Sequence, residues 1–135
     1  YEKINILWTE IGLGGAARGD NREIIEETLK NNGELFVLYD INSSQIIGTS
    51  WITNDKRRLY LHHFGIKKEY QGMGLSKILL KKTLEFAKSS GLQIKLEVHK
   101  DNITATNLYK KFGFTYLGDY NTYIIRDLNK IVDDF

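Results

Sequence analysis

Between Arg58 and Lys88 the chain changes its period: a β-rich run to Ile66 gives way to Gln71-Gly-Met-Gly-Leu-Ser76, and then at once to a two-faced helical run. Glycines at 72 and 74 permit the tight left-handed backbone that such a turn needs. In the helix that follows, Lys77, Lys81, Glu85 and Lys88 make a polar stripe, while Leu75, Ile78, Leu79, Thr83, Phe86 and Ala87 are expected inward. Gly91 ends it, and Gln93 to Val98 reads as a strand. A strand, helix and strand of this length require a parallel crossover, pairing the Arg58 strand with the Gln93 strand. The same turn gathers free backbone N–H groups at the positive end of a helix dipole, which suits an anion.

The rest of the chain supplies partners for that unit. Ile4, Leu7 and Trp8 fall at helical spacing within Tyr1 to Glu10, and a glycine-rich loop follows from Glu10 to Asp20. Asp20 with Glu23 resembles a capping box, opening a helix with Ile24, Ile25, Thr28 and Leu29 inward and Asn32-Gly33 as its stop. The runs Glu34 to Asp40, Gln45 to Thr53 and Arg58 to Ile66, joined by short turns, predict an antiparallel meander. Thr115 to Asp119 and Tyr123 to Leu128 predict a final hairpin. The expected fold class is α/β (α+β): a mixed, largely antiparallel central sheet flanked by helices, with one parallel strand pair, in one domain.

At 135 residues the chain is long enough for one core and too short for two. It has no cysteine, which excludes disulfides, thiolate metal sites and a cysteine nucleophile. Its +2 net charge hides an asymmetry: from Lys67 to Lys111 ten lysines stand against four acids, +6, which leaves 2 − 6 = −4 for the remainder. A basic half suits a polyanionic cofactor, and an acidic remainder favours a cationic amine. Arginine clusters and aromatic-interleaved strands are lacking, so no nucleic acid is expected as a partner. The sequence contains no apolar run near the length of a membrane span and no charged-then-apolar leader pattern, so the expectation is a soluble, cytoplasmic protein without a membrane partner. His62 and His63 are adjacent, but strand neighbours point apart and no third ligand is spaced to help, so no metal is expected.

A second segment, Leu96-Glu-Val-His-Lys-Asp-Asn102-Ile-Thr-Ala105-Thr-Asn-Leu108-Tyr109-Lys-Lys-Phe-Gly113-Phe114, joins a strand to a helix that bears a tyrosine. Together, in this order and spacing, the two segments resemble the GNAT superfamily of acetyl-CoA-dependent N-acetyltransferases. Its acyl-CoA loop, Gln/Arg-x-x-Gly-x-Gly/Ala, falls on Gln71, Gly74 and Ser76, the last departing from the pattern but still small. Its second motif falls on Leu96, Val98, Asn102, Ala105, Leu108, Tyr109, Gly113 and Phe114 without a gap. The resemblance covers about residues 59 to 117 at motif level. It implies a single N-acetyltransferase domain over 1–135 that lacks the family's usual first strand, an absence expected to reflect trimming.

The resemblance also implies roles. Acetyl-CoA would lie on Gln71, Gly72, Met73, Gly74, Leu75 and Ser76, with Lys77 on the pyrophosphate and Asn102 near the pantetheine. Backbone amides of Phe64, Gly65 and Ile66 would bind pantetheine and polarise the thioester carbonyl. Tyr109 would lie beside the sulfur and reprotonate it. An amine of pKa ~10.4 is less than about a thousandth neutral at pH 7, a deficit of roughly 4 to 5 kcal/mol, so a base is needed. Glu97 and His62 compete for that task, and a water chain is the alternative to both. The expected activity is transfer of acetyl from acetyl-CoA to a small-molecule or peptide amine by direct attack in a ternary complex. The rival reading is a non-catalytic acyl-CoA-binding sensor or interaction module on the same fold. The acceptor has no motif, and a homodimer is compatible with the sequence.

Overall fold

The computed structural model describes residues 1–15 and 18–133. The chain divides into two compact units, Tyr1–His99 and Lys100–Phe135. The first unit holds helices α1 (Glu2–Glu10) and α2 (Arg22–Lys30), strands β1 (Glu34–Asp40), β2 (Gln45–Asn54) and β3 (Arg58–Ile66), helix α3 (Leu75–Ser90) and strand β4 (Gln93–Leu96). Its sheet runs β1-β2-β3-β4, antiparallel across the first two pairs and parallel between β3 and β4. The meander and the parallel crossover are those the sequence predicts.

Alternation along β2 divides the core into two layers. Trp51 and Thr49 face α1 and α2: the Trp8 indole N–H donates to Thr49 Oγ1 at 2.8 Å, and the Trp51 indole N–H donates to Thr28 Oγ1 at 3.0 Å. Trp8 and Trp51 stack at 5.7 Å amid Ile4, Leu7 and Ile25. Each such buried side chain contributes about 1.5–3 kcal/mol. Ser50 and Ile52 point the other way, to α3, where Leu79, Leu80, Thr83 and Ala87 are buried.

Several local expectations are corrected. Asn21, not Asp20, caps α2, its Oδ1 accepting from Ile24 N at 2.9 Å, because the Asp20 carboxylate is taken by His63. On α2 only Ile25 and Thr28 are buried; Ile24 and Leu29 are exposed. Ile78 is exposed as well, since the face of α3 that meets the sheet is centred on Leu79, Leu80 and Thr83. β4 stops at Leu96, short of Val98.

In the second unit α4 (Ile103–Lys111) begins at Asn102, whose side chain accepts from Ala105 N, and Gly113 closes it at φ +104°. The expected hairpin is not formed: residues 115–128 include no strand, and Tyr116, Tyr120, Tyr123 and Ile124 are exposed. An alternating apolar pattern becomes a strand only where a partner strand satisfies its backbone.

Candidate active site

The site grows from two irregularities in the first unit. At the first, β2 and β3 shift register between Thr49, opposite Gly65, and Trp51, opposite His62, so that Ser50 stands against both His63 and Phe64. His63 takes φ +43° there, a left-handed backbone in a residue that is not glycine. The fold holds this bulge with a buried relay: the Thr49 hydroxyl, bonded by Trp8, donates to the His63 carbonyl at 2.7 Å. The second is the early end of β4. It stops at Leu96 opposite Leu61, while β3 runs on through His62 and the bulge to Ile66.

The glycine turn lies next along the chain. The Gln71 side-chain amide donates to the Ile66 carbonyl at 3.0 Å and ties the turn to the end of β3. Gly72 and Gly74 take φ of +81° and +79°, and Gly74 is the N-cap of α3 with no side chain capping it. An added Cβ at either glycine meets no atom within 4 Å, so φ rather than crowding calls for glycine here. The amides of Leu75, Ser76 and Lys77 thus open a 16-residue helix with no side-chain acceptor over them. Met73 and Lys77 are exposed, and Met73 and Leu75 wall an open groove with Tyr39, Ile47 and Tyr70. These residues can hold a phosphate by backbone N–H groups and a lysine.

Both base candidates stand on the sheet face that carries α1 and α2, joined by a residue the sequence reading passed over. The Tyr60 hydroxyl donates to the Glu97 carboxylate, and its ring stacks on His62 at 4.6 Å. Burial first, then the Glu97 carboxylate, holds the Tyr60 phenol protonated well above its usual range. His62 Nε2 bonds Thr53 Oγ1 at 2.8 Å. Burial, aided by neighbouring His63, pulls its pKa down to about 4, so the ring is neutral at pH 7 but a weak base. Glu97 is exposed at the end of β4. Tyr60 was findable, as it sits two residues before His62 on one strand face. Asp20, which bonds His63 at 2.7 Å, was not, because 43 residues separate the two.

Asn102 and Tyr109 belong to the second unit. Tyr109 is buried with its ring 5.6 Å from Phe114, and burial pushes its pKa up to about 12, so it carries its proton at any physiological pH. Among the described residues no group of three side chains is arranged to hold a metal ion, and no helix is long and apolar enough to cross a membrane.

Comparison with known proteins bears on this arrangement. The model of the acetyltransferase (GNAT) family matches residues 2–114. The chain is 27% identical over 110 residues to N-acetyltransferase 8B of Homo sapiens, covering 76% of this chain and 48% of that protein. It therefore spans about half the length of that relative. In fold it is similar to a probable acetyltransferase from Staphylococcus aureus, with TM-score 0.72 at 22% identity over 92% of this chain and 90% of that one. It is also similar to a GNAT family acetyltransferase from Elizabethkingia anophelis with acetyl-CoA bound, with TM-score 0.57 at 23% identity over 70% of this chain and 61% of that one.

Proposed function

We propose, since the chain belongs to the acetyltransferase (GNAT) family, that it moves an acetyl group from acetyl-CoA to an amine nitrogen by direct attack in a ternary complex. The observation that carries the reading is the uncapped N-terminus of α3 behind two left-handed glycines, in a turn that Gln71 ties to the end of β3. In this proposal the amides from Gly74 to Lys77 take the pyrophosphate, and the β3 backbone from Phe64 to Ile66 takes the pantetheine and the thioester carbonyl.

The amine must lose a proton before or during attack. Glu97 is the base candidate of this proposal because its carboxylate is exposed just past the end of β4, where an amine can reach it, whereas His62 is part-buried with Nε2 bonded to Thr53. The Glu97 carboxylate would take the proton directly or through a water, while Tyr60 orients it. Attack forms the nitrogen–carbon bond and breaks the carbon–sulfur bond. A coenzyme A thiolate of pKa about 8.5 then leaves, and Tyr109 is the proposed donor that reprotonates it.

One assay tests the reading: thiol release from acetyl-CoA with a panel of amines, read beside calorimetry of acetyl-CoA binding. Gly74→Glu is expected to abolish measurable binding. Tyr109→Phe is expected to lower turnover by roughly ten- to a thousandfold with affinity kept, and Glu97→Gln to lower it at pH 7 with partial recovery as free amine accumulates at higher pH. Binding that survives Gly74→Glu would remove the cofactor site from this turn. Tight binding without thiol release from any amine would favour the non-catalytic reading.

A further inference from the structure

The loop between α1 and α2 is fastened to β3 at its two ends, one at the bulge and one just past it. At its start, Ile11 packs on Gly65 so closely that a Cβ there would stand 2.9 Å from Ile11 Cδ1. At its end, Asp20 Oδ2 lies 2.7 Å from His63 Nε2, with side chains only 5% and 13% exposed. Gly14 leaves the space the carboxylate needs: a Cβ there would come within 3.1 Å of both Asp20 Oδ2 and Trp8. The His63 ring meets the edge of Trp8 at 4.6 Å and Trp51 at 5.3 Å, and Trp51 in turn packs on His62 at 5.0 Å. The strained left-handed His63 backbone thus serves to aim an imidazole at a buried carboxylate from a distant loop.

We infer that Asp20 and His63 are a positioning pair, which registers the α1–α2 loop on the β3 bulge and thereby shapes the acceptor side of the site. The inference rests on the acetyltransferase reading above. The pair stands on the sheet face that carries His62, Tyr60 and Glu97, and it reaches them through Trp51 rather than by touching the reacting atoms. The glycine turn, by contrast, is held from β3 by Gln71 and does not depend on the pair. Loosening the pair should therefore weaken amine recognition and spare acetyl-CoA.

Steady-state kinetics on the whole chain test this. Asp20→Ala is expected to raise the amine KM at least about tenfold while kcat and the acetyl-CoA dissociation constant stay within about threefold, and Asp20→Asn, which keeps an oxygen for His63, should recover most of the loss. His63→Gly retains the left-handed backbone without the ring and should behave like Asp20→Ala, which provides a second variant should that one fold poorly. Trp8 and Trp51 are the chain's two tryptophans and both pack on His63, so intrinsic fluorescence should shift in the Ala and Gly variants. Wild-type amine KM in these variants, or acetyl-CoA binding lost in parallel, overturns the inference alone. A wild-type chain that releases thiol with no amine overturns the acetyltransferase reading and this inference with it.

Discussion

His62 combines a strand position, a stacked phenol and a suppressed charge. Around it stand Tyr60, Glu97, His63 and Asp20, and Thr53 bonds its Nε2. Its folded pKa of about 4 lies below the ordinary 6.5, so between these values the unfolded chain binds a proton that the folded chain does not. The stabilisation is therefore complete above pH 6.5 and is lost as pH falls towards 4. Discounted for partial exposure, the loss should be roughly 1–3 kcal/mol. Urea unfolding of wild type and His62→Gln at pH 7.5 and pH 4.5 checks it: the variant should lose less stability, and equal losses would show that His62 does not resist protonation. At this scale the sequence identified residue types but not their partners. Glu97 and His62 were legible as candidates from strand alternation and the family motif. Burial and neighbouring His63 weaken His62, Tyr60 bonds Glu97, and His63 is itself held by Asp20, an aspartate on a loop without a motif.

Strands and helices were more legible than their faces, because period reports an element while burial depends on what lies across from it. Ile78 satisfies the helical pattern of α3 and is nonetheless exposed, whereas the polar Thr83 is fully buried. Thr83 is buried because Ser50 of β2 meets it: their hydroxyls lie 2.6 Å apart, and the Thr83 hydroxyl is also 2.9 Å from the Leu79 carbonyl. This pair docks α3, and with it the glycine turn, on the sheet. Thr83→Val preserves shape but leaves a buried serine hydroxyl without its partner, and should cost about 1–3 kcal/mol. Ser50→Ala added to it removes the orphan, so the double variant should be no less stable than Thr83→Val alone. Urea midpoints for Thr83→Val, Ser50→Ala alone and the double variant decide the matter; strictly additive losses would mean the hydroxyls do not interact. The failed hairpin has the same physical origin as Ile78. An alternating run from residue 115 to 128 reads as a strand in one dimension, and no partner strand takes it up.

Across the whole molecule the division of charge is older information than any contact, since it can be counted before folding. The +6 between Lys67 and Lys111 includes the first turn of α3, while the −4 elsewhere includes Glu10, Asp20 and Glu23 in and beside the loop between α1 and α2. What counting cannot say is whether those lysines meet a ligand or only water, and the structure leaves Lys77, Lys81 and Lys82 exposed. Backbone amides at a helix N-terminus bind phosphate at short range and are screened little, whereas exposed lysines act over distances comparable to the ~10 Å Debye length at 0.1 M salt. If the lysine field assists the proposed cofactor site, raising NaCl from 50 to 500 mM should weaken acetyl-CoA binding by about five- to twentyfold. Lys77→Gln should flatten that dependence and lower affinity chiefly at the low-salt end. Calorimetry of both proteins at the two salt concentrations separates the contributions. An affinity indifferent to salt in the wild type would assign the phosphates to the backbone cradle of Gly74 to Lys77 alone, and would leave the basic half of the chain as a solvated surface.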